Sequence, residues 1–290
     1  MKTFVIVIAV ALLAGVPSSA ESQTTQKPTG TPAVPLLTRT VSRHEVRRFG
    51  YGGTVTVIGA PQGSITIEGW SRSEVEITAE IKLLAESEED LARLAAVNGF
   101  VFDENVTHLS LMTMGTHDKT YMRRVAKDFP KRLLGLPWKI DYRLRVPITT
   151  DLEINGGVGP IGVTGVEGAI AVKAPQSEAT LTITGGMVTT TITTGSVAVS
   201  IPVRSWRGAG VDIQLATGNL NVDLPVGFNG DVDADILRSG KIENKYPGFE
   251  ERERGGLTEK TIRARVGSGG AALRFTVGDG TITFRRTVEK

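Results

Sequence analysis

Residues Thr189–Pro225, TTTITTGSVAVSIPVRSWRGAGVDIQLATGNLNVDLP, state one phrase twice. Each time an alternating apolar–polar run reaches Thr-Gly, and a second alternating run closes on Pro. The copies are Thr194-Gly195-Ser196-Val197-Ala198-Val199-Ser200-Ile201-Pro202 and Thr217-Gly218-Asn219-Leu220-Asn221-Val222-Asp223-Leu224-Pro225. Alternation is the period of a half-buried strand. A glycine between two such runs allows a positive φ that other L-residues adopt only at a cost. A unit of this kind, repeated along the chain, predicts strands stacked on copies of themselves.

Working outward, the phrase recurs. Gly159 is followed 18 residues later by Ser177 and another 18 later by Gly195; the step to Gly218 is 23 residues, with Pro202–Gly210 taking up the excess as a loop. Gly230, Gly240 and Gly280 open further members, Gly63 an outlying early one, and Gly168-Ala169-Ile170-Ala171-Val172 marks a second corner. Residues two and four places after the glycine (Val197 and Val199 in one copy, Leu220 and Val222 in the other) form the buried side. The charged run from Phe249 to Lys260 is expected to loop out, and the Gly280 phrase to close the array. The expected fold is all-β: a single β-solenoid or β-roll-like domain over residues 38–286, with a tail over 287–290. One short inserted helix is expected near 87–98, where Ser87 caps an acidic first turn and Asn98-Gly99 supplies a left-handed stop.

The start of the chain reads as a targeting segment. Lys2 precedes an apolar run, Phe4–Leu13, about half the roughly twenty residues a membrane helix needs, and Val16-Pro17-Ser18-Ser19-Ala20 resembles a cleavage site. Residues 1–20 are therefore expected to be a signal peptide cleaved after Ala20, and 21–37 a disordered Ser/Thr/Pro-rich spacer. The mature chain is expected in the periplasm, at the cell surface or outside the cell, without a transmembrane helix. It contains no cysteine, so neither disulfides nor thiolate metal sites are available. A net charge of +2, from 33 basic against 31 acidic residues, carries no basic stripe of the kind nucleic acid requires.

Catalytic signatures are missing. His44, His108 and His117 are scattered, and there is no nucleophile elbow, phosphate loop or dinucleotide fingerprint. No cofactor and no metal are expected. The one carboxylate cluster, Asp223 with Asp231, Asp233 and Asp235, suggests an alternative: a carbohydrate-active β-helix enzyme using two of them as acid and base. The simpler reading makes Val232, Ala234 and Ile236 the buried side and the aspartates the wet side.

Two irregular stretches interrupt the repeat. Gly115–Leu136 carries Lys119, Arg123, Arg124, Lys127, Lys131 and Arg132 among Tyr121, Met122, Phe129 and Leu133-Leu134. It is either a solvated loop or a contact segment for an anionic partner. Pro202–Gly210 carries Arg204, Trp206 and Arg207, which suit an anionic glycan or protein surface, although Trp206 suits packing equally. The candidate partner-binding residues are thus Arg204, Trp206, Arg207, Lys119, Arg123, Arg124 and Lys127, and the expected partner is an anionic glycan or an envelope protein.

The glycine phrases, above all Ala216–Pro225 and Thr194–Val197, resemble those of the putative adhesin family of unknown function found in exported bacterial proteins. The segment Gly63–Trp70 is similar to that family's early phrase, and the likeness runs over about Val41–Phe284, with Gly115–Leu136 as a departure. The resemblance implies a right-handed or roll-like β-solenoid serving as a non-enzymatic adhesin or scaffold; it brings no catalytic residues. A purely structural envelope protein is the remaining alternative.

Overall fold

The computed structural model describes residues 36–59 and 61–287; the expected signal peptide and most of the spacer lie outside the described residues. The described residues are all-β with two inserted α-helices. Its strands, in order, are β1 (Leu37–Arg48), β2 (Thr54–Ile58), β3 (Ile65–Trp70), β4 (Glu74–Ala85), β5 (Gly99–Glu104), β6 (His108–Met114), β7 (Trp138–Pro147), β8 (Asp151–Asn155) and β9 (Ile161–Thr164). There follow β10 (Ala169–Thr182), β11 (Gly185–Ser200), β12 (Arg207–Leu224), β13 (Gly230–Ile236), β14 (Gly240–Asn244), β15 (Phe249–Glu251), β16 (Thr261–Val266) and β17 (Ala272–Arg286). Helices α1 (Glu88–Val97) and α2 (Lys119–Val125) lie between β4 and β5 and between β6 and β7. All strands join one mixed, 17-stranded hydrogen-bonded sheet.

The repeat sets the register. Strands β10, β11, β12 and β17 pair in parallel so that Ser177, Gly195, Gly218 and Gly280 stand side by side, with Gly240 of β14 beyond Gly280. Burial explains how each strand turns there. In β11 the buried side chains are Val188, Thr190 and Ile192 before the glycine but Val197 and Val199 after it, so the inward parity switches from even to odd. The same switch occurs in β12, from Ile213 and Leu215 to Leu220 and Val222, and in β17, from Phe275 and Val277 to Ile282 and Phe284. The chain bends at the glycine and keeps the same side inward, and both halves feed one buried apolar cluster.

Glycine is needed in this column for two reasons. Gly195, Gly218 and Gly280 have φ of 141°, 140° and 145°. A Cβ on Gly218 would also lie 1.8 Å from the Gly195 carbonyl oxygen, and one on Gly280 1.7 Å from that of Gly218. The carbonyl of each unit thus occupies the space that a side chain of the next would fill. A second column, Gly168, Gly186 and Gly208, repeats the arrangement at the other corner: a Cβ on Gly186 or Gly208 would lie 2.2 Å from the preceding carbonyl oxygen.

Five expectations are corrected. The C-terminal strand does not close the array, because β17 inserts between β12 on one side and β13 and β14 on the other. The outer members are instead β14 and the antiparallel strands β16 and β15. Gly230 is not a corner; it opens β13, where Asp231 pairs with Ala272, and its φ is not positive. Phe249–Glu251, expected to loop out, forms a short strand against β16. Finally, the described residues hold two α-helices rather than one, and α1 ends on Asn98 in extended conformation (φ −96°, ψ 126°), not on a left-handed residue. Its Ser87 cap is as expected, the hydroxyl accepting from the Asp90 amide at 3.2 Å.

At the other end, β2 lies in parallel between β6 and β8, and β3 between β7 and β9. Antiparallel β4 and β1 continue from β7, and antiparallel β5 from β6. The insertion Gly115–Leu136 therefore leaves the sheet at the end of β6 and returns at the start of β7.

Candidate functional site

Gly115 begins the departure from the sheet. A Cβ there would lie 2.2 Å from the Asn98 side-chain oxygen, which instead accepts from the Thr116 amide at 2.9 Å. Asp118 then caps α2, its carboxylate accepting from the amides of Tyr121 (3.0 Å) and Thr120 (2.8 Å), and these bonds hold its carboxyl below the usual range. The cap turns Met122 inward to 6% exposure and Lys119, Arg123 and Arg124 outward. After α2 the chain folds back through half-buried Phe129 to a 3-10 turn, Lys131–Leu133, with Leu133 fully buried.

The turn is clamped to α1. Arg132 donates two bonds to the buried Asp90 carboxylate, at 2.6 and 2.7 Å. The guanidinium, with the Ser87 hydroxyl, holds the Asp90 carboxyl below its usual 3.8 against the opposing effect of burial. A depressed carboxylate contributes stability that is fully present above its unfolded value and lost as pH falls through the folded one. Acidification below 3.8 is therefore expected to release the insertion, and Asp90→Asn to release it at neutral pH. Faster amide exchange across residues 119–134 is the readout; unchanged exchange in Asp90→Asn would show that the clamp does not hold the segment.

Between α2 and the 3-10 turn lies a groove of about 800 Å³. Its floor is Met122, Ala126, Phe129 and Leu134, the last still 42% exposed. Its rim carries Lys119, Arg123, Lys127 and Lys131. Among the described residues, no carboxylate oxygen lies within 4.0 Å of these four cations, in contrast to Arg132 and Lys139 nearby. Thr116 and His117 close one end. Partial desolvation lowers the His117 pKa, outweighing the opposite pull of Asp118, and the ring lies 5.5 Å from that of Trp138. The fixed positive charge of the site is carried by its four cations.

Of the residues singled out in the sequence, Lys119, Arg123 and Lys127 meet on this rim, whereas Arg124 does not line it. In the other stretch Arg204 and Arg207 are exposed, but Trp206 is only 9% exposed and donates its indole N–H to the Gly186 carbonyl at 3.1 Å. Trp206 thus holds the second glycine corner. Lys131, Ala126, Leu134 and His117 complete the groove without having been singled out as site residues. A wider concavity of about 940 Å³ is lined by Arg48, Arg72 and Glu74 with Phe49 and Val106, and so gathers two cations and one carboxylate where the groove gathers four cations.

The aspartate cluster is engaged in ion pairs. Asp231 pairs with Arg265 and Arg252, Asp233 with Arg252 and Arg263, and Asp235 with Arg263, so the three carboxylates tie β13 to β16 and to the residue after β15. Asp223 pairs with Arg285 at 3.0 Å. An acid–base pair needs a carboxyl facing a substrate, and here arginines face them. Among the described residues no group of three or more His, Asp or Glu side chains is placed to hold a metal ion.

No protein-family model matches the sequence, and none of the curated proteins matches it. Among solved structures, one similar chain is described as a "putative cell adhesion protein" from Clostridium sporogenes ATCC 15579; it is 12% identical, with 85% of this chain and 100% of that one covered and a TM-score of 0.45. Another, a "putative adhesin" from Bacteroides fragilis NCTC 9343, is 10% identical, with 86% and 97% covered and a TM-score of 0.34. No described helix is long and apolar enough to cross a membrane.

Proposed function

We propose that this chain is an exported, non-enzymatic binding module of adhesin or scaffold type, a β-solenoid that holds an anionic partner on its basic insertion. Solenoid architecture is supported by the 18-residue register and by two glycine columns in which each carbonyl fills the place of the next Cβ. The expected signal segment supports export. A binding role without catalysis is supported by the occupied aspartates and by the absence of nucleophile–base motifs from the sequence.

One observation carries the choice of site: four cations line one groove, and among the described residues none of them has a carboxylate oxygen within 4.0 Å. Exposed charges usually acquire partners or spread out, and a cluster of one sign raises the local concentration of the opposite one. The Lys119→Glu, Arg123→Glu, Lys127→Glu triple variant is expected to bind a uronic-acid polysaccharide at least about tenfold more weakly, taking up to about 1 kcal/mol per exposed charge. Its binding should also lose most of its salt dependence. Affinity and salt slope equal to those of the unaltered chain would show that the partner docks elsewhere.

A further inference from the structure

We infer that the groove takes an acidic amphiphile: a single alkyl chain lying on the floor, with a phosphate or carboxylate head among the rim cations. The inference rests on the binding role proposed above and specifies its ligand. A site for a free anion needs only the rim. This one also leaves apolar surface open beneath it, Leu134 at 42% exposure and half-buried Phe129, flanked by Met122 and Ala126. Its volume of about 800 Å³ lies within the range of sites that enclose a small molecule.

Other anionic ligands, acidic glycans among them, engage the rim cations but leave the apolar floor unused. Glycan recognition relies on neutral directional donors and acceptors and on a ring face open to stacking. The rim side chains here are ammonium or guanidinium groups, and the one aromatic ring of the floor, Phe129, is half-buried. A peptide needs partners for its backbone, and apart from Thr116 and His117 the lining side chains are apolar or cationic. An alkyl chain asks nothing of the floor except contact. The Asp90–Arg132 clamp holds the far wall against α1, so the groove stands ready before anything enters it.

The test uses the mature chain with octyl, decyl and dodecyl phosphate below their aggregation concentrations, alongside dodecyl glucoside and glycerol phosphate. Burial of each methylene is expected to raise affinity about fourfold until the floor is filled. Dodecyl phosphate should bind far more tightly than either control, and more weakly as salt rises. Leu134→Asp, at an exposed position, should lower its affinity at least about tenfold while leaving the melting temperature unchanged. The triple rim variant should lose the preference for phosphate over glucoside. Affinity independent of chain length, or indifferent to Leu134→Asp, would overturn the inference. If glycerol phosphate binds as tightly as dodecyl phosphate and the rim variant loses both, the anionic site stands and the amphiphile falls. If the rim variant changes neither, both readings fall. An acidic amphipathic peptide that binds the groove and is not displaced by dodecyl phosphate would also overturn the inference.

Discussion

Gly218→Ala is expected to cost the fold about 2–6 kcal/mol and to lower its urea midpoint sharply, whereas Gly162→Ala leaves it as stable as before or more so. Gly218 combines a φ of 140° with a carbonyl oxygen 1.8 Å from where the new Cβ would stand. Holding an L-residue in that conformation costs about 1–3 kcal/mol, and moving a packed backbone aside costs a further 1–3 or so. The sum is a large part of the 5–15 kcal/mol that typically separates folded from unfolded. The shift cannot be absorbed locally, because the Gly195 carbonyl belongs to a strand paired on both sides. Gly162 lies in β9 without a positive φ, and its Cβ would meet only the Thr66 methyl at 3.9 Å. There alanine reduces the freedom of the unfolded chain, a gain of about 0.4–1 kcal/mol. Urea denaturation of both variants checks this. A Gly218→Ala midpoint within experimental error of the original would mean that the column is not close-packed.

The two glycines also show what was legible in the sequence. Gly159-Pro160-Ile161-Gly162-Val163 contains both kinds, and it was the first of them that the 18-residue spacing selected. That worked because the requirement is local: a bend with positive φ needs glycine wherever it occurs, and the apolar residues two and four places later must face inward. The order of strands is a different matter. Gly280-Thr281-Ile282 looks like any other member, and parallel strands with equivalent faces can exchange places without changing their pattern. That β17 lies between β12 on one side and β13 and β14 on the other appears only in the pairing of the strands.

The groove was half legible for a similar reason. The positive charge of the insertion could be read from the sequence, but not that Lys119, Arg123 and Lys127 share one rim, since Lys127 lies beyond the end of α2. α2 itself gave little sign: its first turn has no acidic residue, and the signal is the Asp118 cap alone. Leu134 joins the floor only because Arg132 is drawn back to Asp90, 42 residues away in sequence. No local pattern announces that pair. Trp206 shows the reverse, since an Arg–Trp–Arg run suggests an exposed platform, and only the Gly186 carbonyl reveals why the indole is turned in.

The sharpest test of the inward face lies beside the same corner. Val197→Asp is expected to unfold the array, while its neighbour Ser196→Asp should cost less than about 1 kcal/mol. Val197 is fully buried and pairs with Ala179 and Leu220, themselves buried, in the adjacent strands. Replacing it removes about 1.5–3 kcal/mol of apolar burial. It also places a carboxyl where no donor stands, and a buried acid in such surroundings can have its pKa raised by up to about 3–5 units. At about 1.4 kcal/mol per unit, keeping that group ionised or protonating it at neutral pH costs several kcal/mol more. The damage should therefore shrink as pH falls toward 4, opposite in sense to the Asp90 clamp, which weakens in acid. Ser196 is half-exposed, between Glu178 and Asn219 in the neighbouring strands, so an added carboxylate meets one like charge and remains in water. Two melting curves at pH 7 and two at pH 4.5 suffice. If both variants melt together at pH 7, the parity switch at Gly195 does not define the buried face, and the stacking of the repeat must be abandoned.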